Sequence, residues 1–199
     1  MGLNLWLLVP VKPFGEGKSR LASVLNDTQR SDLSRRLLVR LLTLAQTSEL
    51  FTGILVISRD DEVLQVAGDA NVATLRESGY GLNAALDAAR EQVLEWQAEA
   101  ILVLPADLPW ITEGDLADLV SAGTARSIVL APSQDGGTNA LLLRPPSAIK
   151  FLYGKGSARR HADMAEERGL SVVLLERPTL AFDIDSPVDL QRLSIAGET

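Results

Sequence analysis

Short runs of Val, Ile and Leu, separated by stretches with apolar residues at helical spacing, predict an α/β fold. The expected architecture is a three-layer α/β/α sandwich around a mostly parallel sheet. Two further observations support that class. The runs are apolar on both faces, as strands covered by helices on each side must be. At 199 residues the chain can bury one substantial core, and it is too short for two large domains.

Taken in chain order, the runs Leu5 to Val11, Ile54 to Ser58 and Ala100 to Leu104 read as buried strands. Asp27 or Thr28 caps a helix running to about Gln46, and Gly81 to Trp96 carries a second helix. Thr112 caps a third, short helix, where Glu113 and Asp115 suit the positive end of the helix dipole. After Leu130 the alternation breaks. Ser127 to Ala131, Ala140 to Leu143 and Ser171 to Leu175 still read as strands, but Pro132, Gly136, Gly137, Pro145, Pro146, Gly154 and Gly156 crowd the region 132–157. Those breakers exclude a crossover helix there and predict a strand pair with loops laid over the sheet edge. The chain is expected to form a single domain over 1–199, with 132–157 as a Gly/Pro-rich elaboration. His161, beside Arg159 and Arg160, is expected on a helix surface.

Composition narrows the function classes. With 46% hydrophobic and 23% charged residues the chain is an ordinary globular one, not a disordered one. The 19 Lys and Arg stand against 26 Asp and Glu, for a net charge of −7 without a basic block, which argues against nucleic-acid and anionic-membrane partners. Cysteine is absent and there is one histidine, so any metal must sit on oxygen ligands, favouring Mg²⁺, Mn²⁺ or Ca²⁺. No run approaches the roughly 18 apolar residues of a membrane span. A cytoplasmic location is the expectation.

Several segments carry chemistry. Pro10-Val11-Lys12-Pro13-Phe14-Gly15-Glu16-Gly17-Lys18-Ser19-Arg20-Leu21 follows the first strand, where parallel sheets bind ligands. Its glycines and its cations Lys12, Lys18 and Arg20 suit a phosphate chain, although a plain connecting loop has the same composition. It is not a P-loop: the pattern G-x-x-x-x-G-K-S/T needs glycine where Lys12 stands, and Pro13 removes an N–H donor. Asp107, in Leu104-Pro105-Ala106-Asp107-Leu108-Pro109, sits at a strand's carboxyl end, placed for a metal at a phosphate or for a turn. In Phe182-Asp183-Ile184-Asp185-Ser186-Pro187 two carboxylates at i and i+2 project to one face, about 7 Å apart if extended. They read as metal ligands or as the start of a helix capped by Ser186 and opened by Pro187 and Asp189. Asp135-Gly136-Gly137-Thr138-Asn139-Ala140-Leu141 and Tyr153-Gly154-Lys155-Gly156-Ser157 each offer freed N–H groups beside a hydroxyl, as a small anion site or a turn would. Gly79-Tyr80-Gly81-Leu82-Asn83 opens a helix and places Asn83 near a nucleobase or ribose, or simply begins that helix.

In this order the segments resemble the guanylyltransferases of deazaflavin coenzyme F(420) biosynthesis. That family couples GTP to phosphoenolpyruvate, 2-phospho-L-lactate or a related phosphorylated three-carbon acid. The resemblance covers most of the chain and implies a Rossmann-like sheet of the nucleotide-diphospho-sugar transferase, or GT-A-like, kind. Molybdenum-cofactor guanylyltransferases are a more distant comparison, because their Leu-Ala-Gly-Gly loop and later Arg-Met-Gly are missing here. By the resemblance, Asp107, Asp183 and Asp185 are Mg²⁺ ligands, and Lys18 and Asp107 are catalytic. Lys12, Lys18, Gly81 and Asn83 would bind the nucleotide, and Thr138, Gly154 and Ser157 the acid. A hand-off of product to the next enzyme is also expected, and the Gly- and Pro-rich region 132–157 is a candidate interface for a homodimer. The competing readings are a nucleotidyltransferase for 3-phospho-D-glycerate, a sugar phosphate or molybdopterin, and a non-catalytic nucleotide-binding protein.

Overall fold

The computed structural model describes residues 2–77 and 81–195, so Gly79 and Tyr80 of the expected nucleotide turn lie outside the described residues. Seven strands, β1 (Leu5–Pro10), β2 (Gly53–Ser58), β3 (Ala73–Arg76), β4 (Ala100–Val103), β5 (Ser127–Pro132), β6 (Thr138–Arg144) and β7 (Ser171–Leu174), form one sheet in the order β3-β2-β1-β4-β6-β5-β7. The helices are α1 (Asp27–Thr47), α2 (Asp61–Asp69), α3 (Leu82–Glu95), α4 (Glu113–Ser121), α5 (Ser157–Glu167), α6 (Pro178–Ala181) and α7 (Pro187–Ile195). β6 runs antiparallel to both β4 and β5, and the remaining pairs are parallel. The sheet is therefore mixed.

Alternating side chains explain why the strands are apolar throughout. In β1, Leu5, Leu7 and Val9 pack with Leu38, Leu41 and Leu42 of α1, whereas Leu8 packs with Leu86 and Val93 of α3 on the other face. Helices thus cover both faces. A smaller third core gathers Leu21, Leu33, Leu37, Phe182, Ile184 and Leu193 beside the sheet's carboxyl ends.

Three expectations change. The strand pair in 132–157 exists, but β6 lies inside the sheet and not over its edge, since Ala140 and Leu142 face one core while Leu141 and Leu143 face the other. His161 is fully buried, because it falls on the inner face of α5 with Ser157 and Ala165. The cap of α1 is Asn26, which exchanges a capping box with Gln29, one residue before the expected position. The Thr112 cap of α4 forms as expected, with Asp115 completing its box. β3 and α2 have no counterpart in the sequence reading: β3 is a four-residue edge strand whose alternate residues are exposed, and it presents no continuous apolar run.

Candidate active site

The carboxyl ends of β1 to β4 open into a cavity of about 320 Å³. Pro10, Val11 and Lys12 enter it from β1, Arg59 from β2, Glu77 from β3, and Pro105, Ala106 and Asp107 from β4. Gly17 and Lys18 of the β1 loop, Ser34 and Leu37 of α1, and Gly81 and Leu82 of α3 complete most of the wall.

The β1 loop is pinned down. Phe14 is buried and donates its backbone N–H to Asp60 Oδ2 at 2.9 Å, while Leu21 sinks into the third core. Glu16 pairs with Arg59 across the cavity mouth. Lys18 takes a left-handed backbone conformation, φ 56°, before a short 3₁₀ turn, Ser19–Leu21. Its side chain is only 7% exposed, and its ammonium donates to Asp107 Oδ2 at 2.6 Å. Lys12 is exposed at the cavity's edge.

The second acidic segment is tied to the first through Ile184, whose N–H donates to the Asp107 carbonyl at 3.2 Å. Phe182 and Ile184 are buried, which turns Asp183 and Asp185 to the other side as an extended strand requires. Burial, and then the charge of Asp107, push the Asp183 carboxyl above its ordinary range. Asn139 Nδ2 reaches Asp183 at 3.5 Å. Asp185 lines the cavity and pairs with Arg20 at 2.6 Å. The helix-start reading of this segment also holds: Asp189 Oδ2 accepts from the Asp185 N–H and from both the N–H and hydroxyl of Ser186. Among the described residues no three carboxylate or imidazole groups gather in a ready-made metal cluster. Even so, Asp183 with Asp107 beside it, and Asp185, which lines the same cavity as Asp107, are hard oxygen donors of the kind a Mg²⁺ ion takes.

The two glycine-rich segments also meet. Because β6 is antiparallel, its first residues, Thr138 and Asn139, lie beside the carboxyl end of β4 and hence beside Asp107 and Asp183. Thr138 Oγ1 is 2.9 Å from Ser157 Oγ at the start of α5 and 3.1 Å from His161 Nδ1. The Ala158 N–H donates to the Gly136 carbonyl at 3.3 Å, joining the β5–β6 turn to the same helix. Gly154, φ 127°, and Gly156, φ 65°, adopt backbone conformations that a side chain would strain, so the loop 154–156 needs glycine at both places. Asn83 is not directed at the cavity: its amide donates to the Tyr153 carbonyl and accepts the Tyr153 N–H, clipping α3 to this loop. Burial, and then the nearby Arg160 charge, push His161 down to about 4, so the ring is neutral at pH 7.

Set beside known proteins, residues 5–199 match the family described as "Guanylyl transferase CofC like". The chain belongs to that family. A phosphoenolpyruvate guanylyltransferase of Rubrobacter xylanophilus is 44% identical over 197 residues, covering 98% of this chain and 96% of the relative. A 2-phospho-L-lactate guanylyltransferase of Methanocaldococcus vulcanius is 31% identical over 193 residues, 96% of this chain and 85% of the relative. In fold, the chain is similar to a nucleotidyl transferase from Methanothermobacter, with a TM-score of 0.72 at 16% identity over 98% of each chain.

In this guanylyl transferase family member, sequence reasoning missed the far wall of the cavity. Arg59 and Glu77, paired at 3.1 Å, stand just past the ends of β2 and β3, and they become visible as candidates only once β3 is known to be a strand. Ser34 and Leu37 sit in the middle of α1, where a helix-periodic stretch gives no hint of a ligand. Their signal is purely spatial.

Proposed function

We propose that the protein joins GTP to phosphoenolpyruvate, or to 2-phospho-L-lactate, and releases pyrophosphate, a step in making the deazaflavin coenzyme F(420). The observation that carries the reading is the position of the Lys18–Asp107 pair. It stands at the carboxyl ends of the central strands, beside Asp183 and between a large cavity and a second hydroxyl- and glycine-lined cluster.

The cavity spans strands β3 to β4, three inter-strand steps or about 14 Å, a length that suits a nucleoside triphosphate. In a GT-A-like arrangement the phosphates lie toward Lys12, Lys18 and Asp107, and the base toward Gly81, Leu82 and Glu77. Asn83 supports that end through its clip to Tyr153. The acid's anionic groups take Thr138, Ser157 and the Gly154 loop. Asp107, Asp183 and Asp185 would hold Mg²⁺, which when bound would neutralise the triphosphate charge.

An oxygen of the acid's phosphate attacks the α-phosphorus of GTP. A new P–O bond forms, the α–β bridging bond breaks, and pyrophosphate leaves with the electron pair. The second pKa of a phosphomonoester is about 6, so the nucleophile is already ionised at pH 7 and no general base is required. The residues therefore have to orient and neutralise, which accounts for a site built from Lys and Asp without a nucleophilic side chain. Phosphoenolpyruvate is placed first because a relative of that name is 44% identical.

The test is pyrophosphate release from GTP and Mg²⁺ with phosphoenolpyruvate, 2-phospho-L-lactate or 3-phospho-D-glycerate, each in turn. Turnover with either of the first two is expected. Release with none of the three overturns the reading, and release with 3-phospho-D-glycerate alone reassigns the acceptor.

A further inference from the structure

His161 is the chain's one histidine, and it is buried out of reach of solvent behind the hydroxyl pair Thr138 and Ser157. It stands one helical turn beyond Ser157 on the same face of α5. The Tyr153 ring meets its edge at a centroid distance of 5.2 Å. The backbone N–H of Leu152 points at Nε2 from 2.8 Å.

The direction of each hydrogen bond can be worked out from that contact. A backbone N–H can only donate, so Nε2 must carry its lone pair. The proton of the neutral ring is then on Nδ1, and it is donated to Thr138 Oγ1 at 3.1 Å. Two arrangements remain for the hydroxyls, which are 2.9 Å apart. If Thr138 donates to Ser157, the Ser157 proton is left without an acceptor among the described residues, on a side chain 1% exposed. If Ser157 donates to Thr138, both inner protons are satisfied, and the one unpaired proton belongs to Thr138, the more exposed residue at 8%. Leaving a buried donor unpaired is the costlier outcome, so the second arrangement wins. Both acceptor positions of Thr138 Oγ1 are then filled from behind, by His161 and Ser157.

We propose that His161 is a positioning residue for the acid: locked in the Nδ1–H form by the Leu152 N–H, it makes the Thr138 hydroxyl a one-way donor aimed at an anionic oxygen of the phosphorylated acid. This rests on the placement of the acid at Thr138. A hydroxyl free to turn offers lone pairs as readily as a proton, and lone pairs repel a carboxylate or phosphate. A hydroxyl whose acceptor sites are occupied offers only the proton. The low proton affinity of the ring agrees with this, because a protonated Nε2 would confront the Leu152 N–H.

Steady-state kinetics of three variants test it. His161→Gln can still accept from Leu152 but places no N–H on Thr138, so it raises the KM for the acid roughly tenfold and leaves the KM for GTP unchanged. His161→Asn carries its amide N–H where Nδ1 stood and recovers most of that loss. Thr138→Val raises the KM for the acid at least as much as His161→Gln. An unaltered acid KM in Thr138→Val removes the acid from this cluster and sinks the underlying reading. A raised KM in Thr138→Val with none in His161→Gln sinks the proposal alone. Equal losses for GTP and acid in both His161 variants reduce His161 to a packing role and also overturn it. A measurement on the wild-type protein does not depend on any variant folding: with a single imidazole in the chain, ¹⁵N NMR at pH 7 must show a protonated Nδ1 and a bare Nε2, and the opposite tautomer overturns the proposal.

Discussion

Lys18 holds a backbone conformation that costs a non-glycine residue roughly 1 kcal/mol, and it does so at the mouth of the cavity. The compensation is its ion pair with Asp107, nearly enclosed on the lysine side. Asp107→Asn keeps the shape but removes the charge that both orients Lys18 and, in the proposed mechanism, binds Mg²⁺. Pyrophosphate release should fall by about 100-fold or more, the scale seen when a preorganised electrostatic group is lost. A near-wild-type rate in a pyrophosphate assay would remove Asp107 from the chemistry. His161 supports a prediction of a different kind. Its folded pKa, about 4, lies below the 6.5 of an unperturbed imidazole, so between those values the unfolded chain binds more protons than the folded one. Its contribution is full above pH 6.5 and is lost as pH falls toward 4. The loss amounts to as much as about 3 kcal/mol. Urea unfolding at several pH values should show the stability of the wild type declining through that window more steeply than that of His161→Gln. Parallel curves would contradict the assignment.

Among the elements, β6 and the loop after it decide how two sites become one. As the single antiparallel strand between β4 and β5, it brings its amino-terminal residues to the ligand-binding edge that parallel strands reach with their carboxyl ends. A sequence reading finds the strand from Ala140 to Leu143 but not its neighbours, since apolarity on both faces tells only that a strand is covered. The β1 loop and Asp107 are legible for a local reason, since charge or glycine soon after an apolar run marks a strand's end, whereas Asp183 and Asp185 are legible only as a carboxylate pair at i and i+2 that follows a short helix. His161 was not, because its neighbours Arg159 and Arg160 suggest an exposed helix face, and only the spacing Ser157, His161, Ala165 discloses the buried one. Asn83 is expected near a nucleobase or ribose, but its amide bonds to protein backbone. Removing this clip should therefore act on both substrates. Asn83→Ala is expected to raise the KM for GTP and for the acid together, and to destabilise the fold by about 1–3 kcal/mol through the unpaired Tyr153 backbone groups. A rise for GTP alone would make Asn83 a direct nucleotide contact instead.

For the molecule as a whole, a net charge of −7 repels a polyanionic surface, yet the cavity edge carries Lys12, Lys18 and Arg59. Bulk charge and pocket charge are separate quantities, and only the second bears on a nucleotide. The cavity also draws its walls from loops after four adjacent strands and from helices on both faces, so a ligand seated there joins parts of the chain that are far apart in sequence. Global unfolding must break all of those contacts at once. GTP with Mg²⁺ at about one hundred times its Kd should then stabilise the folded state by about 2.7 kcal/mol. For a chain of this size that corresponds to a rise in Tm of about 5–10 °C. Thermal unfolding followed by circular dichroism, with GTP and Mg²⁺, with GTP and a chelator, and with ATP and Mg²⁺, separates the contributions. The full shift is expected only in the first condition, and Asp107→Asn should reduce it to the level seen with chelator. An equal shift with ATP would show that the base end of the cavity does not select guanine, and no shift with GTP would place the nucleotide elsewhere.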